Sequence, residues 1–138
     1  MADRRRRPRQ AKGTGSEVDP ARLLAFDVLA AVREQDAYTN LLLASMLRER
    51  GVSGRDAAFA TELVSGTIRR QGTYDAVIAS CVDRPLEKVD AAVLDALRLG
   101  AHQILAMRVP THAAVSTTVD LVRQRVGHGP AGFVNAVL

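Results

Sequence analysis

Arginines clustered at the start of the chain are the residues whose type and spacing point most clearly to chemistry, namely the binding of phosphate. Residues 1–18 hold six basic and two acidic residues, whereas the rest of the chain holds thirteen of each. The net charge of +4 therefore comes entirely from this basic segment. Because neighbouring guanidinium groups repel one another unless an anion neutralises them, nucleic acid is the predicted partner. The predicted phosphate-binding residues of the segment are Arg4, Arg5, Arg6, Arg7, Arg9 and Lys12.

Three further arginines fall at predicted helix ends and are assigned to the same nucleic-acid site. Arg22 lies in the first turn of the first helix, where its charge opposes the helix dipole. A carboxylate or a bound anion is therefore expected to compensate it. Arg69 and Arg70 lie at the end of the third helix, where they either stabilise the helix dipole or bind phosphates. The pattern leaves both interpretations of this pair open.

No pattern in the sequence predicts catalysis or metal binding. The single cysteine, Cys81, lies on the apolar stripe of the fourth predicted helix, which favours a buried structural thiol. The histidines have no second histidine or cysteine at ligand spacing, and we expect them at helix starts or at the edge of the core. These histidines are His102, His112 and His128. Any function is therefore expected to be one of binding.

The elements that position these residues are predicted to be helices throughout. Asp19 is expected to cap the first helix, and the second follows Tyr38-Thr39-Asn40 and ends at Gly51. Ser53-Gly54-Arg55-Asp56 resembles a capping box that opens the third helix. Thr73 is the expected start of the fourth. The predicted phosphate-binding residues therefore lie near the ends of predicted helices or in the segment that precedes the first helix.

The second half of the chain predicts three more helices. Asp90 is expected to cap a fifth helix over residues 91–107, with Leu105 on its buried side. A glycine inside this helix, Gly100, favours a close crossing with another helix, which would offset its low helix propensity. Thr111 is the expected cap of the sixth helix, and a seventh ends the chain. About seven helices without an alternating strand pattern predict an all-α bundle.

This pattern of helices divides the chain into two segments. Residues 1–18 are predicted to be a disordered Arg-rich tail, and residues 19–138 a helical domain. No apolar run approaches the roughly 20 residues of a membrane span, and no apolar stretch follows the basic start as in a secretory signal. A lone cysteine fits a reducing compartment. We therefore expect a cytoplasmic location.

Six segments of the chain, taken together and in order, resemble the NusB family. They are Arg22 to Leu29, Tyr38-Thr39-Asn40, Glu62 to Arg69, Leu97 to Leu105, Pro110 to Val115, and Phe133 to Leu138. Within that family the chain is most similar to the N-terminal domain of the 16S ribosomal RNA cytosine-C5 methyltransferases known as RsmB, Sun or Fmu. Ala136 supports this branch, because free-standing NusB proteins more often carry glycine there.

The resemblance implies a NusB-like bundle that binds ribosomal RNA through a basic N-terminal region. It also implies that a catalytic domain dependent on S-adenosylmethionine follows Leu138 in a longer polypeptide, which fits a sequence that stops inside a predicted helix. The chain itself is then a non-catalytic domain that holds no cofactor. Its expected partners are ribosomal RNA and the catalytic domain of the same polypeptide. A homodimer is a further candidate, since some family members pair through the bundle.

Two other interpretations stay open at this point. The first is a free-standing transcription antitermination factor that binds RNA with a small ribosomal protein, against which the abrupt end and Ala136 argue. The second is a helical protein-interaction module whose basic tail is a solvated segment without a partner. Deletion of residues 1–18 separates the second interpretation from the others, because under it every interaction survives the deletion.

Overall fold

The computed structural model describes residues 18–35 and 38–138, and every regular element in that part of the chain is a helix. No strand occurs among these residues, so the predicted all-α bundle is confirmed. The elements are α1 (Pro20–Gln35), α2 (Thr39–Arg50), α3 (Gly54–Arg69), α4 (Gln71–Cys81), a short 3-10 helix (Leu86–Lys88), α5 (Ala91–Leu105), α6 (Thr111–Arg125) and α7 (Ala131–Val137).

Helix α5 lies at the centre of the bundle. It contacts α1, α3, α4, α6 and α7, and most of its residues between Val93 and Gln103 are buried. A helix covered by neighbours on nearly all sides needs apolar residues around most of its circumference, and the α5 sequence supplies them. The exceptions, Asp95, His102 and Gln103, are buried polar residues, and each forms hydrogen bonds. These three residues connect the core to the charged surface.

Helices α1 and α3 pack side by side and run in the same direction. Near their starts, Arg22 of α1 contacts Phe59 of α3, and near their ends Val32 and Ile68 line one cavity. Their facing sides bury apolar residues. As a result, the start of α1 and one long side of α3 form a continuous surface.

Three predicted helix boundaries are confirmed by their local geometry. Asp19 Oδ1 accepts the backbone N–H of Arg22 at 2.9 Å, and Asp90 Oδ1 accepts that of Ala92 at 2.9 Å. Gly51 ends α2 with φ of +65°, the left-handed conformation in which glycine has no steric penalty. Caps and glycine stops act over a few residues, so the sequence alone located them.

Two predicted caps and one predicted start are wrong. The Ser53 side chain forms no cap hydrogen bond, because Gly54 has φ of +59° and the chain enters α3 from a left-handed residue. A capping box requires helical backbone angles in the residue that follows the cap, and Gly54 does not have them. Thr111 is the first helical residue of α6 and Pro110 occupies the cap position without a side-chain bond. Helix α4 begins at Gln71 rather than at Thr73.

Cys81 and Leu105 are exposed, whereas the sequence predicted both to be buried. Cys81 is solvent-accessible at the end of α4, and Leu105 is 57% exposed at the end of α5. Both lie in an open apolar groove of about 180 Å³, because the apolar stripes of the two helices extend beyond the helices that cover them. The groove is lined by Val77, Ile78, Cys81, Ala101, Ile104, Leu105, Val137 and Leu138. We call it the apolar groove.

Gly100 marks a close contact, as its sequence position predicted. A Cβ atom on this residue would lie 2.8 Å from Leu138 Cδ1 and 3.0 Å from Thr118 Oγ1. At the other end of the domain, Val18, which the sequence assigned to the tail, is buried in the core. The rest of the predicted tail, residues 1–17, lies outside the described residues. No helix of the described part is long and apolar enough to cross a membrane.

Candidate nucleic-acid interface

One side of α3 carries a mixed row of basic, aromatic and acidic residues. Arg55, Phe59, Glu62 and Arg69 follow one another at intervals of four, three and seven residues, which places them on the same helix face. Arg22 joins this row from α1, with its guanidinium carbon 4.8 Å from the centre of the Phe59 ring. We call these five residues the α3 face. Of these five, the sequence alone predicted Arg22 and Arg69 as phosphate-binding residues, because helical periodicity indicates the apolar side of α3 and not its exposed side.

Arg22 has the carboxylate partner that its position predicted. Its Nη1 pairs with Asp19, the residue that caps the same helix, and its Nε donates to Gln103 Oε1 at 2.8 Å. With Phe59 beneath the guanidinium, the side chain is only 16% exposed. These contacts hold the guanidinium in one orientation. A phosphate contact at Arg22 stays a prediction.

A shallow cavity adjoins Arg22 where α1 and α3 begin. Its volume is about 280 Å³, and it is lined by Asp19, Ala21, Arg22, Arg55, Asp56 and Phe59. Two arginines and two carboxylates share this cavity, so its formal charge is balanced. Arg55 was considered from sequence only as part of the capping box, and its exposed side chain is an additional candidate for contact with an anion.

A buried histidine fixes the acidic member of the α3 face. His102 is 1% exposed, and its Nε2 lies 3.0 Å from Glu62 Oε2 while its Nδ1 lies 2.6 Å from the Tyr74 hydroxyl. The histidine is therefore enclosed, not at the edge of the core as expected. A Cβ atom on Gly66 would lie 2.2 Å from His102 Nε2, so only glycine leaves room for this contact.

Arg69 and Arg70 lie exposed at the junction of α3 and α4. Arg69 Nη2 is 3.9 Å from Glu62 Oε2, a loose pair between exposed groups that contributes little to stability. Arg70 ends α3 and also precedes α4, so the negative end of one helix dipole and the positive end of the other meet there. The dipole explanation is therefore weak for Arg70. Phosphate binding by this pair remains a prediction.

The structure spreads the predicted arginines along the surface instead of clustering them. Arg69 lies ten residues beyond Phe59, which corresponds to about 15 Å along the helix axis. Arg22 and Arg69 therefore occupy opposite parts of the α3 face, with Glu62 between them. Such a row suits an extended chain of several phosphates better than a single compact anion. The six basic residues of the tail, Arg4 to Lys12, lie outside the described residues.

Other arginines of the domain are tied to carboxylates. Asp27 accepts hydrogen bonds from Arg50 at 2.7 Å and from Arg125 at 2.9 and 2.7 Å. Burial raises the pKa of Asp27, but the hydrogen bonds from Arg125 and Arg50 outweigh it, so the pKa lies below its ordinary value. These two arginines connect α2 and α6 to α1 and have a structural role.

A second carboxylate, Asp95, pairs with arginines inside the bundle. It accepts hydrogen bonds from Arg33 and Arg98, each at 3.2 Å, and Arg98 also binds Asp75 through two bonds of 2.6 and 2.9 Å. Burial raises the pKa of Asp95 above its ordinary value, and the two arginines only partly offset this effect. This network joins α1, α4 and α5, and its arginines have a structural role.

No group of three or more histidine, cysteine or acidic residues that could hold a metal ion occurs in the described residues. A further basic pair lies away from the α3 face, where Arg84 stands 4.8 Å over the Phe133 ring beside Lys88. Among the described residues, the α3 face, this basic pair and the apolar groove are three exposed features that could take part in binding.

Comparisons with known proteins place these features in a family. The profile of the NusB family matches residues 19–138. A Mycobacterium tuberculosis (strain H37Rv) protein named as a methyltransferase is 49% identical over the whole chain, which spans 29% of that protein. The ribosomal RNA small subunit methyltransferase B of Xanthomonas campestris is 36% identical over 119 residues, or 86% of the chain and 27% of the relative. The chain therefore spans less than a third of the length of these relatives.

Solved structures show the same fold. The antitermination factor NusB, crystallised with NusE and double-stranded RNA, superposes with a TM-score of 0.76 at 24% identity, covering 85% of this chain and 89% of its own. The solution structure of NusB from Aquifex aeolicus gives a TM-score of 0.71, also at 24% identity, with 85% and 81% covered. At this identity the likeness establishes the arrangement of helices.

Proposed function

The chain belongs to the NusB family, and from this premise we propose that it is the RNA-binding accessory domain of a 16S ribosomal RNA cytosine-C5 methyltransferase. The observation that carries the proposal is the match to ribosomal RNA methyltransferases over most of the chain but only 26–27% of their length. An accessory domain is expected to match a longer enzyme in this way, over most of its own length but over a small share of the enzyme's length. The exposed arginines and the basic tail supply a second, independent argument.

In this proposal the RNA is held mainly through its phosphates. The positive charge comes from the arginines of the tail and from Arg22, Arg69 and Arg70. Arg55 extends this row along α3. Contacts of this kind give affinity and position. The chain contains no tryptophan and only five aromatic residues, so stacking on bases is sparse. Binding by the isolated domain is therefore weak and sensitive to salt.

Methyl transfer itself belongs to the rest of the longer polypeptide. S-adenosylmethionine would be bound and used there, and the role of this domain is to position the RNA. The apolar groove is the part of the surface best suited to pack against the catalytic domain, because Leu105 and Val77 are large apolar residues exposed beside Leu138. The domain thus has an RNA side on α3 and a protein side on α4, α5 and α7.

A salt titration with single-stranded RNA tests the RNA-binding part of the proposal. If three phosphates are neutralised, a plot of log affinity against log salt has a slope of about −2, since each contact contributes roughly −0.7 on single strands. A slope near zero contradicts the electrostatic account. Deleting residues 1–18 should weaken binding and flatten the slope. Unchanged binding after this deletion would favour a protein-interaction module.

The length of the native polypeptide tests the methyltransferase part. An antibody raised against this domain should detect a band much larger than 138 residues in cell extract. A band of about that length would favour the second candidate, a free-standing antitermination factor. The observation in favour of that candidate is the fold shared with NusB. The higher identity to methyltransferases, 32–49% against 24% for the solved NusB structure, favours the first.

A further inference from the structure

The α3 face contains one acidic residue held in a fixed position, and electrostatic binding of phosphate does not explain it. The Glu62 side chain is 50% exposed, and its Oε2 is 3.0 Å from Nε2 of the buried His102. An ionised carboxylate can only accept, so Nε2 carries a proton and donates to Glu62; in the neutral ring Nδ1 then accepts from the Tyr74 hydroxyl, 2.6 Å away. The carboxylate is thus held through Oε2, while half of the Glu62 side chain remains exposed to solvent.

Such an anchor requires several residues of particular types. His102 is fully enclosed, Tyr74 supplies the only hydroxyl that bonds it among the described residues, and Gly66 leaves the space that a Cβ atom would fill. A carboxylate on a surface that binds phosphates weakens that binding by like-charge repulsion. A fixed carboxylate at this place therefore fits a contact that phosphates cannot make.

The donor groups of RNA decide what that contact is. An ionised carboxylate has only acceptors, so it binds N–H or O–H groups. Guanine carries two neighbouring donors on its Watson–Crick edge, N1–H and the N2 amino group. Adenine and cytosine place a ring acceptor beside their amino group, and uracil places its single N–H between two carbonyl oxygens. Guanine is the base whose edge matches both oxygens of a carboxylate.

The residues around Glu62 fit an unpaired nucleotide. Phe59 lies one turn before Glu62 on the same helix face, and the Arg22 guanidinium carbon is 4.8 Å from the centre of its ring, so an aromatic ring and a cation of the kinds that stack on bases lie beside the carboxylate. Arg69 lies on the other side of Glu62, where its exposed guanidinium can bind a flanking phosphate. A stacking surface, an acceptor pair and a phosphate donor thus follow one another along α3.

We propose that Glu62 is a base-reading residue, which accepts the N1–H and N2–H groups of an unpaired guanine in single-stranded RNA. His102 and Tyr74 are the positioning residues that hold the carboxylate. The inference rests on the proposed RNA-binding function and deepens it, because phosphate contacts alone give no base preference. It assigns a preferred nucleotide to the middle of the α3 face.

The test compares RNAs that differ in one base. The 138-residue chain is titrated with a short oligouridine, with the same oligonucleotide carrying one guanosine, and with one carrying inosine, which lacks the N2 amino group. We expect roughly tenfold tighter binding of the guanosine RNA than of oligouridine, as a bidentate base contact gives. The inosine RNA should fall between them. Equal affinities for all three RNAs would overturn the proposal without any variant.

A matched pair of variants separates base reading from general charge. Glu62→Gln keeps an oxygen that accepts from His102 but removes one of the two acceptors, and it should bring the guanosine preference to within about twofold. Asp56→Asn removes the same charge from the cavity beside Arg55, and it should tighten binding of every RNA while the preference persists. Retention of the preference in Glu62→Gln, or its equal loss in Asp56→Asn, contradicts the assignment. Absence of binding to any RNA at low salt would instead reject the proposed function.

Discussion

The Tyr74 hydroxyl and the His102 Nδ1 atom lie 2.6 Å apart in the interior of the bundle, although the two residues are 28 positions apart in the sequence. Both side chains are almost completely enclosed. The hydrogen bond joins α4 to α5, and its continuation to Glu62 joins α5 to α3. One short chain of polar groups therefore links the packing of three helices to the surface that we assign to RNA.

We expect Tyr74→Phe to lower the free energy of unfolding by about 1–3 kcal/mol, because it leaves the buried His102 Nδ1 without its hydrogen-bond donor. Tyr38→Phe is the matched control, since Tyr38 is 81% exposed and its loss should change stability by less than about 0.5 kcal/mol. Chemical denaturation monitored by circular dichroism measures both. Equal stability of the two variants would show that the hydrogen bond contributes nothing.

Gly66→Ala should be destabilising by about 1–3 kcal/mol or more. The added Cβ atom would lie 2.2 and 2.3 Å from atoms of the His102 ring, which is enclosed and cannot move without shifting α5. Gly72→Ala provides the control within the neighbouring helix α4, where a Cβ atom meets nothing within 4 Å. That variant should gain up to about 1 kcal/mol from helix propensity. Stabilisation by both substitutions would contradict the packing described around His102.

The stability of the domain should fall in acid because of Asp27. Its folded pKa lies below the ordinary value of 3.8, so the unfolded chain binds more protons in this range and stability rises with pH. The contribution is present above pH 3.8 and is lost as the pH falls through the folded pKa. Asp27→Asn should therefore flatten the loss of stability in acid, as measured by urea denaturation across pH 2 to 6.

Asp95 should have the opposite effect on how the stability of the domain depends on pH. Burial raises its folded pKa above 3.8, so the folded chain binds more protons and this residue lowers stability as the pH rises through that range. Removing the ionisable group with Asp95→Asn should make the rise of stability with pH steeper, whatever its effect on absolute stability. If the slope of the free energy of unfolding against pH changes in the same direction in Asp27→Asn and Asp95→Asn, the opposite pKa shifts of the two carboxyl groups are contradicted.

Arg70→Gln should reduce the salt dependence of RNA binding by about 0.7 in the log–log slope, the effect of one lost phosphate contact on a single strand. Arg125→Gln removes the same charge, but its guanidinium is held by Asp27. The slope of that variant should stay at the wild-type value. If the two substitutions change the slope equally, Arg70 contributes only to the net charge.

The sequence by itself determined the features that depend on neighbouring residues. Asp19 and Asp90 cap their helices, and Gly51 ends α2, because each acts on backbone groups within one turn. The all-α class followed from apolar residues at helical spacing. Membership of the NusB family also came from sequence, since its matching segments keep their order along the chain.

The tertiary structure decided which residues are buried and which of them meet. Cys81 and Leu105 lie on apolar stripes yet remain exposed, because burial depends on whether another helix covers the stripe. His102 carries no local signal of its bond to Glu62, which α3 and α5 create by packing 40 residues apart in sequence. Side-chain partners across helices are set by the arrangement of whole elements, so helical periodicity could predict the faces but not the contacts between them.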